Sequence, residues 1–230
     1  MEVIKSWEEL PKYMRNKEVE YYYNIIRRRK KTLILKRVFD VLLSLLLLVV
    51  LMPFMLVIAI MIKSDSKGPV MFRQKRVTRY GRLFTIYKFR TMVPDAWKLG
   101  SQVTVERDPR VTKIGQVLRK YRLDEIPQLF NILAGDMSFV GTRPEVSKYV
   151  KRYTDEMFAT LLLPAGVTSK ASIEFKDEDR MLAESEDVDR TYVDKVLPAK
   201  MEYNLKYLRS FGLPSDFIIL FQTVFRVWKG

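Results

Sequence analysis

Hydrophobic and polar positions follow different rhythms along this chain. Near the start, Val19, Tyr22, Tyr23 and Ile26 recur at helical spacing within a mixed polar and aromatic stretch, residues 1–26. A basic knot, RRRKKTLILKR (27–37), comes next. Charge then disappears over VLLSLLLLVVLMPFMLVIAIMI (41–62). At helical rise this run reaches roughly 33 Å, about enough to cross a hydrocarbon core of roughly 30 Å. It starts too far in, is too long and lacks the small-residue cleavage site of a secretory signal. Pro53 interrupts it, removing a backbone donor and clashing with the preceding turn.

Two topologies follow from that break. A Pro-kinked helix can span the bilayer. A re-entrant helix-break-helix hairpin can instead enter and leave on one face, with arms of about 18 Å and 13 Å. Basic residues flank both ends: 27–37 on one side, Lys63, Lys67, Arg73, Lys75 and Arg76 on the other. A single span would place one flank outside, against the positive-inside tendency.

Beyond the run, DSKGPVMFRQKRVTRYGRLFTIYKFRTM (65–92) predicts short strands with a turn at Tyr80-Gly81. After a polar stretch, 93–113, helices are predicted over 114–121, from near Asp124 to Gly135, and over 145–161. PAGVTSKAS reads as loop, and 177–189 is an acidic patch. The tail, 196–230, offers two helices. On the last, Phe217, Leu220, Phe221, Val224, Phe225 and Trp228 share a face and are followed by Lys-Gly. That face suits either the membrane interface or the protein's own core.

Composition narrows the chemistry. The chain of 230 residues carries 41 Lys+Arg against 27 Asp+Glu, a formal charge of +14, which favours polyanionic partners. It is also 48% hydrophobic, ample for a folded core. Without a single Cys there is no disulfide, thiolate nucleophile or cysteine zinc site. Without a single His, every histidine-dependent triad and the H-E-x-x-H zinc motif are excluded. An enzyme built from this chain would use a carboxylate, hydroxyl or amine nucleophile. Its metal would prefer oxygen ligands, Mg²⁺ with Mn²⁺ as the alternative.

Against this basic background, YRLDEIPQLF (121–130) sets Asp124 and Glu125 side by side before an apolar run. Such a pair suits a helix N-terminus, where Asp is a good cap. The same place suits phosphate, because unpaired N–H groups and the dipole's positive end point outward. Cations surround the pair in sequence: Lys88 and Arg90 on one strand face, Arg119, Arg122, and Arg143 in a GTRP turn. Arginine's fork matches phosphate bidentately, and lysine acts as a point charge.

Several segments occur in an order typical of one family: KRVFD (36–40), the Pro-broken run, KGPVMFRQKRV (67–77), YKFRTM (87–92), LRKYRLDEIPQLFNILAGDMSFVGTRPE (118–145) and SDFIILFQTVFRV. Over residues 33–227 the chain resembles the bacterial sugar transferases, small monotopic polyprenyl-phosphate phosphoglycosyl transferases. The D-E-x-P-Q-L-x-N-x-x-x-G-D-M-S-x-V-G stretch is the most specific part.

The resemblance implies a mostly helical α+β fold. Residues 1–32 lie outside the resemblance and are expected to be an added membrane-surface or dimerisation helix. Residues 33–63 would form the re-entrant membrane hairpin, with Pro53 at its bend and Asp40 and Ser44 at the interface. Residues 64–230 would form a small cytoplasmic catalytic domain with C-terminal interfacial amphipathic helices. It further implies transfer of a sugar-1-phosphate from a UDP-sugar to polyprenyl (undecaprenyl) phosphate. UMP would be released through a covalent phosphosugar-aspartyl intermediate, initiating surface glycan or glycoconjugate synthesis.

Asp124 would be the nucleophile and the protein ligand of Mg²⁺, with Glu125 its partner. Lys88, Arg119 and Arg143 would hold phosphates, with Arg90 and Arg110 as further candidates. Sugar contacts would come from 165–195. The expected setting is the bacterial inner membrane, on its cytoplasmic face, among anionic phospholipids, with a homodimer as a further association and no nucleic acid. Two departures stand out: V-G-T-R-P replaces the family's V-G-P-R-P, and PAGVT stands where R-P-G-x-T is usual. The rival reading is a membrane-tethered protein that binds nucleic acid or anionic lipid without catalysis. It accounts for +14 but leaves the acidic pair without a role.

Overall fold

The computed structural model describes residues 3–96, 108–183 and 185–228. Residues 97–107 of the polar stretch, the side chain of Trp228 and the terminal Lys-Gly lie outside the described residues.

Helix α1, Lys17–Arg28, starts where the Asn16 side chain accepts the Val19 N–H at 2.8 Å. The four apolar positions picked out by periodicity are its buried ones. They pack toward the C-terminal helix pair, and the Arg209 guanidinium donates to the Tyr22 hydroxyl at 3.0 Å. The predicted amphipathic segment thus belongs to the main core.

Helix α2, Lys30–Asp65, continues through Pro53 for 36 residues, about 54 Å. It is long and apolar enough to cross a membrane, and only 17% of its most apolar window is buried. Its buried residues fall into two groups. Leu33, Lys36, Asp40, Ser44 and Leu48 repeat every three to four residues on one stripe, then Ile58 and Ile62 resume after a gap. Between them Val49, Val50, Met52, Phe54, Leu56 and Val57 are exposed. Asp40 and Ser44, expected at the interface, are buried instead; Asp40 accepts the Phe139 N–H at 3.2 Å. A helix this apolar can hide its polar groups only by turning them onto protein.

Strands β1, Met71–Val77, and β2, Leu83–Phe89, pair antiparallel with Gln74 opposite Ile86. The predicted turn is present, with Tyr80 at φ 58° and Gly81 at φ 74°. Helix α3, Lys113–Lys120, is capped by Thr112. The chain next turns through Arg122 in the left-handed region, φ 56°, into a 3₁₀ turn, Leu123–Glu125.

Helix α4, Gln128–Ala134, begins only after Pro127, so Asp124 is not its cap as the sequence suggested. Proline has no N–H for the carbonyl of Leu123, and the lead-in tightens to i→i+3 bonds such as Ile126 N–H to Leu123 O, 3.3 Å. Gly135, φ 82°, ends α4 as predicted.

Strand β3, Met137–Val140, pairs in parallel with β4, Ala165–Thr168. PAGVTSKAS is therefore strand followed by the start of α6, Lys170–Glu174, rather than loop. Four residues including a glycine carry too little alternation to announce a strand. The helix expected over 145–161 is likewise reduced to α5, Ser147–Val150, and a 3₁₀ segment, Met157–Leu162. Residues 159–163 are all buried, leaving no polar face for a surface helix.

Helices α7, Glu178–Ala183, and α8, Val188–Thr191, lead through a π turn, Tyr192–Val196, to α9, Leu197–Ser210. The last helix, α10, spans Leu213–Trp228. Phe217, Ile218, Phe221, Val224 and Phe225 on α10 are exposed, so this apolar face is not spent on the protein's own core.

At Gly166 a Cβ would fall 2.2 Å from both N and O of Gly141, where the β3–β4 pair brings two backbones together. Gly166→Ala should therefore cost about 2–3 kcal/mol, read as a lowered thermal midpoint in detergent. An unchanged midpoint would show that the two segments separate freely.

Candidate active site

Three pieces of backbone converge on the acidic pair. The end of β2 presents Lys88, the 3₁₀ turn presents Asp124 and Glu125, and the turn after β3 presents Arg143. Asn131 of α4 fixes the first two relative to each other. Its side chain accepts the Tyr87 N–H at 3.0 Å and donates to Thr85 O at 2.8 Å, stapling α4 to the edge of β2. The opposite end of α4 is held by Arg37 of α2, which donates to Ile132 O at 2.5 Å and Leu133 O at 2.8 Å.

Glu125 is the most heavily engaged carboxylate of the site. Lys88 Nζ lies 2.8 Å from Oε1, Arg143 makes a two-pronged contact with both oxygens, and Arg122 Nη1 stands at 4.0 Å. Burial pushes its pKa up, but Arg143 and Lys88 outweigh burial and hold it well below the usual carboxylate range. Asp124, by contrast, has Lys88 Nζ at 4.0 Å. Burial, with the neighbouring Glu125 charge, raises its pKa against the opposing pull of Lys88. Burial also lowers the Lys88 pKa, partly offset by Glu125, while Glu125 raises that of Arg143. Two adjacent carboxylates are thus driven apart: one more acidic and bound to cations, one loosely held and more basic.

Both carboxylates line a cleft of about 1410 Å³ that also receives Lys88, Arg119, Arg122 and Arg143. Asp124 is low in exposure, yet its carboxylate belongs to this wall. Arg119 is steadied by Thr91, whose Oγ1 accepts its Nε–H at 2.9 Å. Arg110 also reaches the cleft, clasped to Asp108 at 2.5–3.1 Å. Arg90 is different. It donates to Ser66 O at 2.7 Å, Ser66 Oγ at 2.9 Å and Lys67 O at 3.0 Å, closing the C-terminal end of α2. Of the five cations predicted, the structure brings Lys88 and Arg143 onto the dyad and keeps Arg119, Arg110 and Arg90 along the cleft, Arg90 with its guanidinium also engaged by the fold.

Sequence reasoning missed Arg76, Glu145, Tyr192 and Lys200, which line the same cleft. Arg76 was legible as the partner of Gln74 on one strand face. The others come from segments far apart in the chain and carried no local motif.

As for metals, Glu125 is committed to cations, and among the described residues no group of three or more Asp, Glu, His or Cys is gathered. One loosely engaged carboxylate fits Mg²⁺, which typically takes one or two protein carboxylates along with substrate phosphates and water.

The site is thus a cation-lined cleft with one loosely held carboxylate, beside an apolar helix long enough to cross a membrane. The sequence profile of the bacterial sugar transferases matches residues 31–230, and the chain belongs to that family. It is similar to a UDP-N-acetylgalactosamine-undecaprenyl-phosphate N-acetylgalactosaminephosphotransferase of Aeromonas hydrophila, 36% identical over 84% of this chain and 44% of the relative. It also resembles a UDP-glucose:undecaprenyl-phosphate glucose-1-phosphate transferase of Klebsiella pneumoniae, 36% identical over 83% of this chain and 39% of the relative. An undecaprenyl-phosphate galactose phosphotransferase of Salmonella typhimurium is 31% identical over 81% and 39%. The chain thus spans less than half the length of these three relatives.

Glu125→Gln removes the buried counterion of two half-buried cations and should cost on the order of 2 kcal/mol at neutral pH. Because the folded-state pKa of Glu125 is depressed, its contribution is present above the unfolded value and is lost as pH falls through the folded one. Denaturation in detergent should therefore show the deficit at pH 7 and a narrowing gap only below about pH 4. A deficit independent of pH would contradict the pairing.

Proposed function

We propose that the protein transfers a sugar-1-phosphate from a UDP-sugar to a polyprenyl phosphate, releasing UMP, at the cytoplasmic face of a bacterial inner membrane. The observation that carries this reading is the unequal dyad. Glu125 pairs with both Lys88 and Arg143 and leaves them a net positive charge, while Asp124 faces the cleft with Lys88 no nearer than 4.0 Å. Asp124 attacks the sugar-bearing phosphorus; an oxygen–phosphorus bond forms and the bond to UMP breaks. The lipid phosphate oxygen then attacks the same phosphorus, leaving polyprenyl-diphospho-sugar and restoring the carboxylate. Lys88, Arg119 and Arg143 neutralise the diphosphate, which is most of what phosphoryl transfer requires of a protein. Mg²⁺, held by Asp124 and the substrate, would further offset charge on the departing UMP.

The re-entrant hairpin fits the same reading. Both ends of α2 are tied to one domain: Lys36 to Asp216 at 2.5 Å and Arg37 to α4 at the start, Asp65 to the Ile114 N–H at 3.2 Å at the finish. A domain confined to one side of a bilayer cannot hold both ends of a spanning helix. The exposed residues around Pro53 would then dip into lipid, beside the apolar face of α10. Basic residues 27–31 would meet anionic head groups, each worth about 1 kcal/mol near the surface.

Asp124→Asn should abolish UMP release from UDP-sugars in the presence of Mg²⁺, without loss of folding. Wild-type protein given donor alone should gain the mass of a sugar phosphate. In the wild type, release should fall as pH drops through the raised Asp124 pKa, since only the carboxylate attacks. Turnover by the variant near the wild-type rate would remove Asp124 from the mechanism.

Topology is tested separately in this cysteine-free chain. Glu20→Cys and Lys151→Cys should both react with a membrane-impermeant maleimide from the cytoplasmic side only. Labelling from opposite sides would establish a span.

A further inference from the structure

One wall of the cleft is built from polar groups that the transfer chemistry leaves unused. Glu145, Tyr192 and Lys200 are each more than nine-tenths buried, yet all line the cleft that contains Asp124. The Tyr192 hydroxyl donates to Glu145 Oε1 at 2.5 Å. Lys200 Nζ donates to Glu178 Oε2 at 2.8 Å and approaches the Tyr192 hydroxyl at 3.4 Å. The Tyr149 ring lies 4.7 Å from that of Tyr192. Burying a carboxylate and an ammonium is costly, and an apolar contact of similar volume would often hold the helices as well or better. Tyr192 also opens a π turn, a local widening frequent at functional sites.

The wall's composition selects its ligand. Lys200 offsets Glu178 and Arg76 acts on Glu145, so the wall offers a diphosphate no net positive charge and is not a phosphate subsite. Uracil presents two carbonyl acceptors and one N–H, a poor match for paired carboxylates. A hexose presents several hydroxyls that both donate and accept, together with a C–H face that suits tyrosine rings. The position agrees: Glu145 lies two residues beyond Arg143, and Glu178 acts electrostatically on the Arg143 guanidinium.

Building on the transferase reading, we propose that Glu145, Glu178, Tyr192 and Lys200 form the subsite that reads the hydroxyls of the donor's sugar ring, and so selects which sugar is transferred. This extends the expected 165–195 stretch on both sides, to the turn after β3 and into α9.

The test measures binding and turnover in the full chain in detergent, with UDP, UDP-glucose, UDP-galactose, UDP-N-acetylglucosamine and UDP-N-acetylgalactosamine. Wild-type protein should discriminate between C4 epimers. Tyr192→Phe and Glu145→Gln should each shrink that discrimination about tenfold or more, since a site built for hydroxyls distinguishes through them. Affinity for UDP should stay within roughly twofold of wild type, while loss of the buried hydrogen bond lowers the thermal midpoint by several degrees in both variants. Equal affinity of the wild type for all four donors, unchanged discrimination in both variants, or a parallel loss of UDP affinity would overturn the assignment. Binding of a UDP-sugar without UMP release would instead sink the transferase reading, and the epimer ratio would still decide the subsite.

Discussion

The site rests on one buried charge cluster: the Glu125 carboxylate between Lys88 and Arg143, with Arg122 at its edge. The Glu125 carboxylate is buried and could not stay so alone without a large desolvation cost. Together they draw the end of β2, the turn before α4 and the turn after β3 onto one point. That closure produces the asymmetry of the dyad, because the cations satisfied by Glu125 are less available to Asp124. A site with symmetric sharing would leave both carboxylates acidic and weakly nucleophilic.

The apolar helix α2 and the cleft are mechanically joined. Arg37 holds the last carbonyls of α4, while Arg90 and Asp65 hold the other end of α2 to β2 and α3. Ile58 and Ile62 pack with Phe89 and Leu118, which lie just beyond Lys88 and just before Arg119. Movement of α2 in lipid would therefore be felt at two phosphate-binding candidates. Leu47 and Leu51 of α2 also belong to the cleft wall, giving it an apolar margin next to its charged centre.

Much of this was legible in sequence, and the remainder fails for definable reasons. Lys88, Asp124, Glu125 and Arg143 could be grouped because short motifs carried them and like-spaced charge is easy to see. The helix-forming faces of α1 and α10 appeared through plain periodicity. Arg90 does line the cleft, but alternation gives only the face of a residue and not the carbonyls its long side chain also finds. Pro127 hid the tight turn under an apparently continuous helix. The β3–β4 pairing is parallel and four residues long on each side, so neither a hairpin turn nor alternation marks it. Glu145, Glu178, Tyr192 and Lys200 meet only after the chain has folded, and spacing in sequence says nothing about them.

The corner at Arg122 has a consequence of its own. Its left-handed backbone would be most comfortable as glycine, and a bulky residue there carries about 1 kcal/mol of conformational discomfort. Filling it with arginine sets a guanidinium at the rim of the acidic pair. Local geometry and long-range electrostatics pull this position in opposite directions, and the field won. A protein selected for rigidity alone would have settled that contest the other way.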